Sequence, residues 1–382
     1  MAVTTRPQAL SSKPPARGLN FGPGPALLPE SVLVKAQEAL WSFEDTGMGI
    51  AEISHRSPRF QELMERLQTG VRTLLKIPDT HEVLFIPAGA TPHFDLVPVN
   101  LALGAGCPQA AYAITGHWSR LAYHEASRLI EATVATEVGA GSGRSSAERQ
   151  IPDVAHWSVD RRVAYLYYTD NESIDGIEFP GPPEIPSTPL VSDMTANLFS
   201  RPVPVERFDL IFAGVQKNLG ITGLGIVIVR KTCLHEAIPG WPPIFCYGRW
   251  AESRSMYNTP PTLNWYFALL MVEWMEAQGG VGALAVRNAR KASLLYATID
   301  QSGGFYRNAV APACRSRMNV PFTLPTDTLT SRFLEEAARS GLLQLEGHRS
   351  TGGCRASIYN AMPESGVRAL CEFMNGFMQR AG

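Results

Sequence analysis

Apolar residues recur along this chain in two rhythms. Over 31–41, and again through Phe60, Leu63, Met64, Leu67, Val71, Leu74 and Leu75, they fall at helical spacing, with a Gly-containing turn at 46–49 between. Short apolar runs follow at 83–86, 163–168, 190–191, 210–212 and 224–229, separated by helical or loop stretches. Runs that are apolar without alternation predict strands buried on both faces, hence a mostly parallel sheet covered by helices. Proline clusters at 180–189 and 239–243 read as loops, and no internal repeat is present.

Beyond Thr262 the texture changes. Long helical patterns occupy 263–277 and 281–301, followed by a strand-like SRMNVPFTL stretch, a helix near 330–340 and a closing helix near 364–379. The pattern predicts an α/β chain with a large unit over 19–270 and a smaller C-terminal α/β unit over 271–382, joined by a long helix. Its 382 residues supply two or three domains' worth of core at roughly 150 residues each. Residues 1–18 hold Pro, Ser, Thr and basic residues but no acid and no apolar core, so a disordered tail is expected there rather than a secretory signal. Its prolines would also break the amphipathic helix of a transit segment.

Composition narrows the classes. Hydrophobic residues make up 45% and charged residues 18%, which is ordinary for a soluble globular chain and too apolar for disorder. Lys+Arg 34 against Asp+Glu 35 leaves a net charge of −1, so no long-range field draws the chain to nucleic acid or membrane. Anion recognition must come from local clusters of Arg and His. No apolar run approaches the roughly 20 residues that span a bilayer. The six cysteines form no CxxC pair and the eight histidines no HxxxH or HExxH, so no metal is expected. Scattered thiols fit a reducing, cytoplasmic setting.

Two local features invite chemistry. Gly139, Gly141 and Gly143 resemble a dinucleotide fingerprint, but the third glycine falls one residue early and no apolar strand leads cleanly into it. A solvated loop is the better reading. Only six of the 34 basic residues are lysines. Lys13 lies in the tail, and Lys35, Lys76 and Lys291 sit on or beside helices, where solvated lysines are ordinary. Lys231, beside Arg230, reads as a solvated strand exit. Lys217 differs: it ends an apolar strand in DLIFAGVQKN and precedes a Gly-rich turn. Carboxyl ends of parallel strands are where ligands are met, and partial desolvation there favours the neutral amine that forms a Schiff base. Asp193 closes another apolar strand in PLVSDMTAN. A pyridoxal phosphate site needs this pair, the lysine to hold the aldehyde carbon and the carboxylate to keep the pyridine nitrogen protonated. Spacing alone leaves two plainer readings open, a surface lysine after a strand and an aspartate capping a helix.

Longer segments bear on that choice: LNFGPGPALLP (19–29), SHRSPRF (54–60), TGHWS (115–119), NESIDGIEF (171–179), SDMTANLFSRP (192–202), IFAGVQKNLG (211–220), MYNTPPT (256–262), SRMNVPF (316–322) and GHRSTGGCRASIYNAMP (347–363). In this order they resemble the phosphoserine aminotransferases of the class-V aminotransferase group, from about residue 19 to the end of the chain. The resemblance implies the fold-type-I architecture of pyridoxal phosphate enzymes. It makes Lys217 the Schiff-base lysine, Asp193 the partner of the ring nitrogen, and Trp118 the ring-stacking residue. Ser173 stands where the family usually has Thr and keeps a hydroxyl near that of the ring; Gln216 would contact the phosphate. Asn258 and Thr259 match phosphate ligands that reach across from a second subunit, which implies a homodimer with shared sites. Arg355 matches the arginine that grips the α-carboxylate through a planar fork. His55, Arg56, His348 and Arg349 match the cluster that binds the substrate's distal phosphate or the side-chain carboxylate of glutamate.

One stretch departs from the family. PAGATPHFD (87–95) stands where GGGRGQF is frequent, and its backbone N–H groups would cradle the cofactor phosphate. Ala90 and Thr91 replace Gly and Arg, so Thr91 offers a hydroxyl but no guanidinium, while Pro92 and His93 are expected to shape the pocket mouth. The implied activity is a ping-pong transamination through an aldimine at Lys217, in which glutamate and 3-phosphohydroxypyruvate give 2-oxoglutarate and O-phospho-L-serine. The alternative keeps the chemistry and takes a different acidic 2-oxo acid, on account of the altered GATPH loop. Intact Lys217, Asp193 and Arg355 speak against a catalytically silent regulatory member.

Overall fold

A computed structural model of the chain describes residues 17–139 and 148–381. Residues 1–16 of the expected tail, and Gly141 and Gly143 of the glycine loop, lie outside the described residues.

After β1 (Leu19–Asn20) the chain forms α1 (Glu30–Trp41) and α2 (Pro58–Leu75). Helix α2 starts where the Ser57 hydroxyl accepts the Phe60 N–H at 3.3 Å, with Pro58 in the first helical position. The expected stripe of Phe60, Leu63, Met64, Leu67, Val71 and Leu75 is buried, and it packs along α6 (Thr262–Ala277). Trp265 of α6 closes that contact, fully buried, with ring centroids 5.8 Å from Phe60 and 4.8 Å from Phe85. Its indole N–H has no partner among the described residues, so truncation removes packing alone. Trp265→Ala is expected to lower stability by about 3–5 kcal/mol, read as a fall in the urea midpoint. Trp41→Ala, at a side chain 72% exposed, should change the same midpoint by less than about 0.5 kcal/mol equivalent.

The central sheet orders seven strands as β2 (His81–Ile86), β10 (Gly225–Arg230), β9 (Leu210–Gly214), β8 (Leu190–Asp193), β5 (Leu166–Thr169), β3 (Gln109–Ile114) and β4 (Glu131–Glu137). Only β10 is reversed, antiparallel to both β2 and β9; the other six run one way. Both faces are buried, Ile211 and Ala213 in one apolar cluster, Leu210 and Phe212 in another. The second face is covered by α3 (His93–Val97), α4 (His117–Ala126) and α5 (Tyr247–Glu252). Strands β3 and β4 escaped the sequence reading. The first is rich in alanine, and the second is an edge strand whose side chains mostly meet solvent. Strand β4 ends two residues before Gly139, but it is a mostly exposed strand of mixed polarity, not the apolar strand that a dinucleotide fingerprint follows.

A smaller group of elements follows. Helix α7 (Gly280–Asp300) joins the main apolar cluster through Val281 and Leu284 and a second one through Leu295, Tyr296 and Ile299. The second cluster also takes β11 (Asn319–Phe322), α8 (Asp327–Arg339), β13 (Cys354–Ser357) and α9 (Glu364–Ala381). Strand β12 (Leu342–Leu343) pairs in parallel with β1, so Leu19 and Phe21 pack with these C-terminal elements rather than with the large sheet. Lys291 corrects the expectation of a solvated helix lysine. It is 2% exposed and donates to the carbonyls of Ile358, Tyr359 and Met362 at 2.9, 2.7 and 3.0 Å. Burial, then the nearby Arg287 charge, bring its pKa down to about 7. No described helix is long and apolar enough to cross a membrane.

Candidate active site

The carboxyl ends of the like-directed strands meet at one cavity of about 160 Å³. Its wall takes Gly89, Ala90 and Thr91 from the turn after β2, Trp118 after β3, Ser173 after β5, Asp193 from the end of β8, and Gln216 and Lys217 after β9. Every cofactor residue expected from the sequence, Asn258 and Thr259 excepted, therefore lines one space. A larger cavity of about 490 Å³ holds none of them. Two of the arginines along it are already paired, Arg149 with Asp175 at 2.7 Å and Arg315 with Asp300 at 2.6 Å.

Asp193 is 4% exposed and accepts the Thr195 N–H at 2.8 Å. Burial pushes its carboxyl up to about 6, against the Thr195 donations and the Lys217 charge. Thr195 also accepts the Gly214 N–H at 3.1 Å, which ties the ends of β8 and β9 together. Lys217 Nζ donates to the Tyr359 hydroxyl at 3.1 Å. Its side chain runs past Gly24, whose φ of +135° suits glycine and where a Cβ would come 3.1 Å from Lys217 Cδ.

Trp118 is set by the start of α4. Glu172, in the short β6 (Asn171–Glu172) that pairs with β7 (Ile177–Glu178), accepts the N–H groups of Trp118 and Ser119 at 2.9 and 2.8 Å and the Ser119 hydroxyl at 2.6 Å. Asp175 accepts the His117 N–H at 2.9 Å. Burial, then the Asp175 charge, raise the Glu172 carboxyl, while the Ser119 and Trp118 donors oppose them. The Trp118 indole N–H donates to the Ser173 hydroxyl at 2.9 Å, so that serine positions the ring while keeping its own proton for a ligand.

Arg355, 5% exposed on β13, donates to the Ser173 carbonyl at 3.1 Å. Its Nε is buried without a partner, and no carboxylate among the described residues lies within ion-pair reach. Burial lowers its pKa, with Tyr359 and Asp175 pulling the other way. His348 sits 5.5 Å from the His117 ring, in the turn that also carries exposed Arg349. Burial, then the charges of Arg355, His117 and Arg349, lower the His348 pKa, and Asp175 opposes them. An anion arriving among these groups would relieve that repulsion.

The other expected residues lie elsewhere on this chain. His55 and Thr259 line a separate open cavity of about 380 Å³ with Pro260 and Pro261, and Arg56 and Asn258 are exposed. His93 does not reach the pocket mouth. It is fully buried, with Nδ1 2.8 Å from the Tyr247 hydroxyl, and burial lowers its pKa to about 3. Tyr359, Glu172, Thr195 and His117 were missed, although each lies inside a segment that carried the resemblance; nothing in their spacing marks a role.

The cavity fits pyridoxal phosphate on this chain's own geometry. The N–H groups of Gly89, Ala90 and Thr91 have no acceptor among the described residues, which suits a phosphate. Gln216, whose carboxamide N–H would donate to that phosphate, Asp193 and the Trp118 ring line the same space.

Comparison with known proteins agrees. The model of the class-V aminotransferases matches residues 19–370. A phosphoserine aminotransferase of Laribacter hongkongensis is 48% identical over 363 residues, covering 95% of this chain and 99% of its own. The solved phosphoserine aminotransferase from Bacillus circulans subsp. alkalophilus superposes with a TM-score of 0.91 at 38% identity, over 96% of this chain and 99% of that one. A PLP-bound phosphoserine aminotransferase from Trichomonas vaginalis gives 0.88 at 36% identity, over 94% and 100%. With its strand ends, its lysine–aspartate pair and nearly its whole length accounted for, this chain belongs to the class-V aminotransferase family.

Proposed function

We propose that the chain is a pyridoxal-phosphate-dependent transaminase that moves the amino group of glutamate to 3-phosphohydroxypyruvate, giving O-phospho-L-serine and 2-oxoglutarate in a ping-pong cycle. The observation that carries this reading is Arg355, a buried guanidinium with no carboxylate partner among the described residues, one hydrogen bond from the wall that holds Lys217 and Asp193. A buried cation without a counter-ion is costly, and a substrate carboxylate supplies the missing anion bidentately. The names of the full-length relatives support the acceptor.

When bound, the cofactor supplies an aldehyde that exchanges amino groups and a ring that accepts the electron pair left at the substrate α-carbon. Ala90, Thr91 and Gln216 would hold its phosphate, Ser173 its ring hydroxyl, Trp118 its face and Asp193 its ring nitrogen. Lys217 would hold the aldehyde carbon between turnovers and, once free, carry a proton on Nζ to and from the substrate carbon. Arg355 fixes the α-carboxylate and so orients the breaking bond. His348 and Arg349 receive the distal anion.

Asn258, Thr259, His55 and Arg56 would complete the site of a second copy in a homodimer. None of the four lines the Lys217 cavity, and the chain exposes the large apolar side chains Leu40, Trp41 and Met48; both support that arrangement. The two apolar clusters support a large unit over 19–270 and a small one over 271–382, with the first strand reaching into the latter. Six free cysteines support a cytoplasmic setting.

Steady-state comparison of 3-phosphohydroxypyruvate with hydroxypyruvate and with carboxylate analogues tests the acceptor. The phosphorylated compound is expected to lead in kcat/KM by about 10²-fold or more, since charge-assisted contacts to a dianion are lost in the others. Preference for an unphosphorylated acid would overturn the assignment in favour of the second reading, which the lack of a guanidinium at exposed Thr91 motivates.

A further inference from the structure

The Tyr359 hydroxyl accepts a hydrogen bond from the Lys217 amine. We propose that Tyr359 is a positioning residue for Lys217: its hydroxyl receives Nζ whenever that amine is free and holds it with its lone pair open to take a proton. The inference rests on the reading in which Lys217 is the amine that reacts.

A phenolic hydroxyl has one proton and two lone pairs. Here the proton goes to the Pro23 carbonyl at 2.8 Å, and the lone pairs receive Asn319 Nδ2 at 3.0 Å and Lys217 Nζ at 3.1 Å. The Asn319 orientation is itself fixed, since it also donates to the Ser357 hydroxyl at 3.0 Å and accepts from Asn171 at 2.9 Å. Toward Lys217 the hydroxyl can therefore only accept. A neutral amine that gives one N–H to an acceptor keeps its lone pair, whereas a donor in the same place would occupy it and block the amine as a base. An ordered base also spares the search for its productive rotamer, the general advantage of preorganisation.

The support behind Tyr359 is unusual. The side chain is 3% exposed, its backbone carbonyl receives Lys291 Nζ at 2.7 Å, and that same ammonium holds the carbonyls of Ile358 and Met362. Three separate stretches of chain, at Pro23, Asn319 and Lys291, thus converge on one tyrosine, which also lies with its ring centroid 5.4 Å from Lys217 Nζ.

The test uses Tyr359→Phe, which removes one oxygen, and two readouts. In cofactor-free protein, acetic anhydride labelling followed by mass spectrometry reports the freedom of each lysine, with exposed Lys231 as the internal reference. Labelling at Lys217 relative to Lys231 is expected to rise about threefold or more. In loaded enzyme, exchange of the glutamate α-proton should slow about tenfold, the order of one hydrogen bond, with KM for glutamate within about twofold. Because the variant also strips a partner from Asn319, Ser357→Ala is the control: it removes the other Asn319 acceptor and should leave both readouts unchanged. Unchanged labelling at Lys217 in Tyr359→Phe, or an equal rise in Ser357→Ala, would overturn the proposal. Turnover retained in Lys217→Ala would instead overturn the functional reading beneath it.

Discussion

Lys217→Ala is expected to lower transamination by at least about 10⁴-fold, the scale on which enzymes fail when a covalent nucleophile is removed. No second amine can substitute from within the cavity. Among the described residues Lys217 is the only lysine in its wall, and Lys291, which is buried, is committed to three carbonyls. Borohydride treatment of the native holoenzyme should fix the cofactor irreversibly on the peptide that carries Lys217, and peptide mass mapping reads this directly. The alanine variant should bind the cofactor without fixing it, and added methylamine should restore part of the activity. Native protein that emerges from borohydride unmodified at Lys217 would remove the basis of the mechanism.

Asp193→Asn should reduce kcat/KM by about 10²–10³-fold, the usual cost of removing one preorganised charge from a site that develops opposite charge. The pH dependence follows from its carboxyl, which burial raises to about 6. In the cofactor-free protein, that raised value favours the fold most below the ordinary carboxylate range, and the contribution is lost as pH rises through about 6. For a bound pyridinium the sign is reversed, because only the ionised carboxylate pairs with it. Cofactor affinity should therefore fall by up to about tenfold per unit as pH drops below 6, in excess of whatever the phosphate itself contributes. The asparagine variant isolates that excess, since it retains the phosphate's titration and loses the carboxylate's. Parallel affinity profiles for the two proteins, measured by fluorescence titration, would show that Asp193 does not face the ring nitrogen.

Some of this site can be read from residue types alone and some cannot. Lys217 and Lys231 look alike in one dimension, each following an apolar run. They are separated by the reversed direction of β10, which pairs Arg230 with His81 and carries Lys231 to the opposite edge of the sheet, 3.9 Å from Glu82. Lys291 was misread because its burial depends on carbonyls at 358–362, far along the chain, which no helical periodicity reveals. Strand β4 hid because an edge strand need not be apolar, and α4, which carries Trp118, hid behind a sequence with few large apolar residues. His93 was misplaced since a histidine in a polar-looking loop gives no hint that Phe212 and Tyr247 enclose it. The convergence of Asp193, Ser173, Gln216 and Lys217 was foreseeable, because parallel strands must deliver their carboxyl ends to one edge.

The pairing of β1 with β12, and of Pro23 with Tyr359, has a consequence for biogenesis. A stretch near Pro23 must wait for one 336 residues further along before the surroundings of Lys217 exist. The nascent polypeptide can assemble its sheet beforehand, but the pocket around Lys217 reaches its final form only once residue 359 is available to meet Pro23, so completion of the coenzyme site is a late folding event.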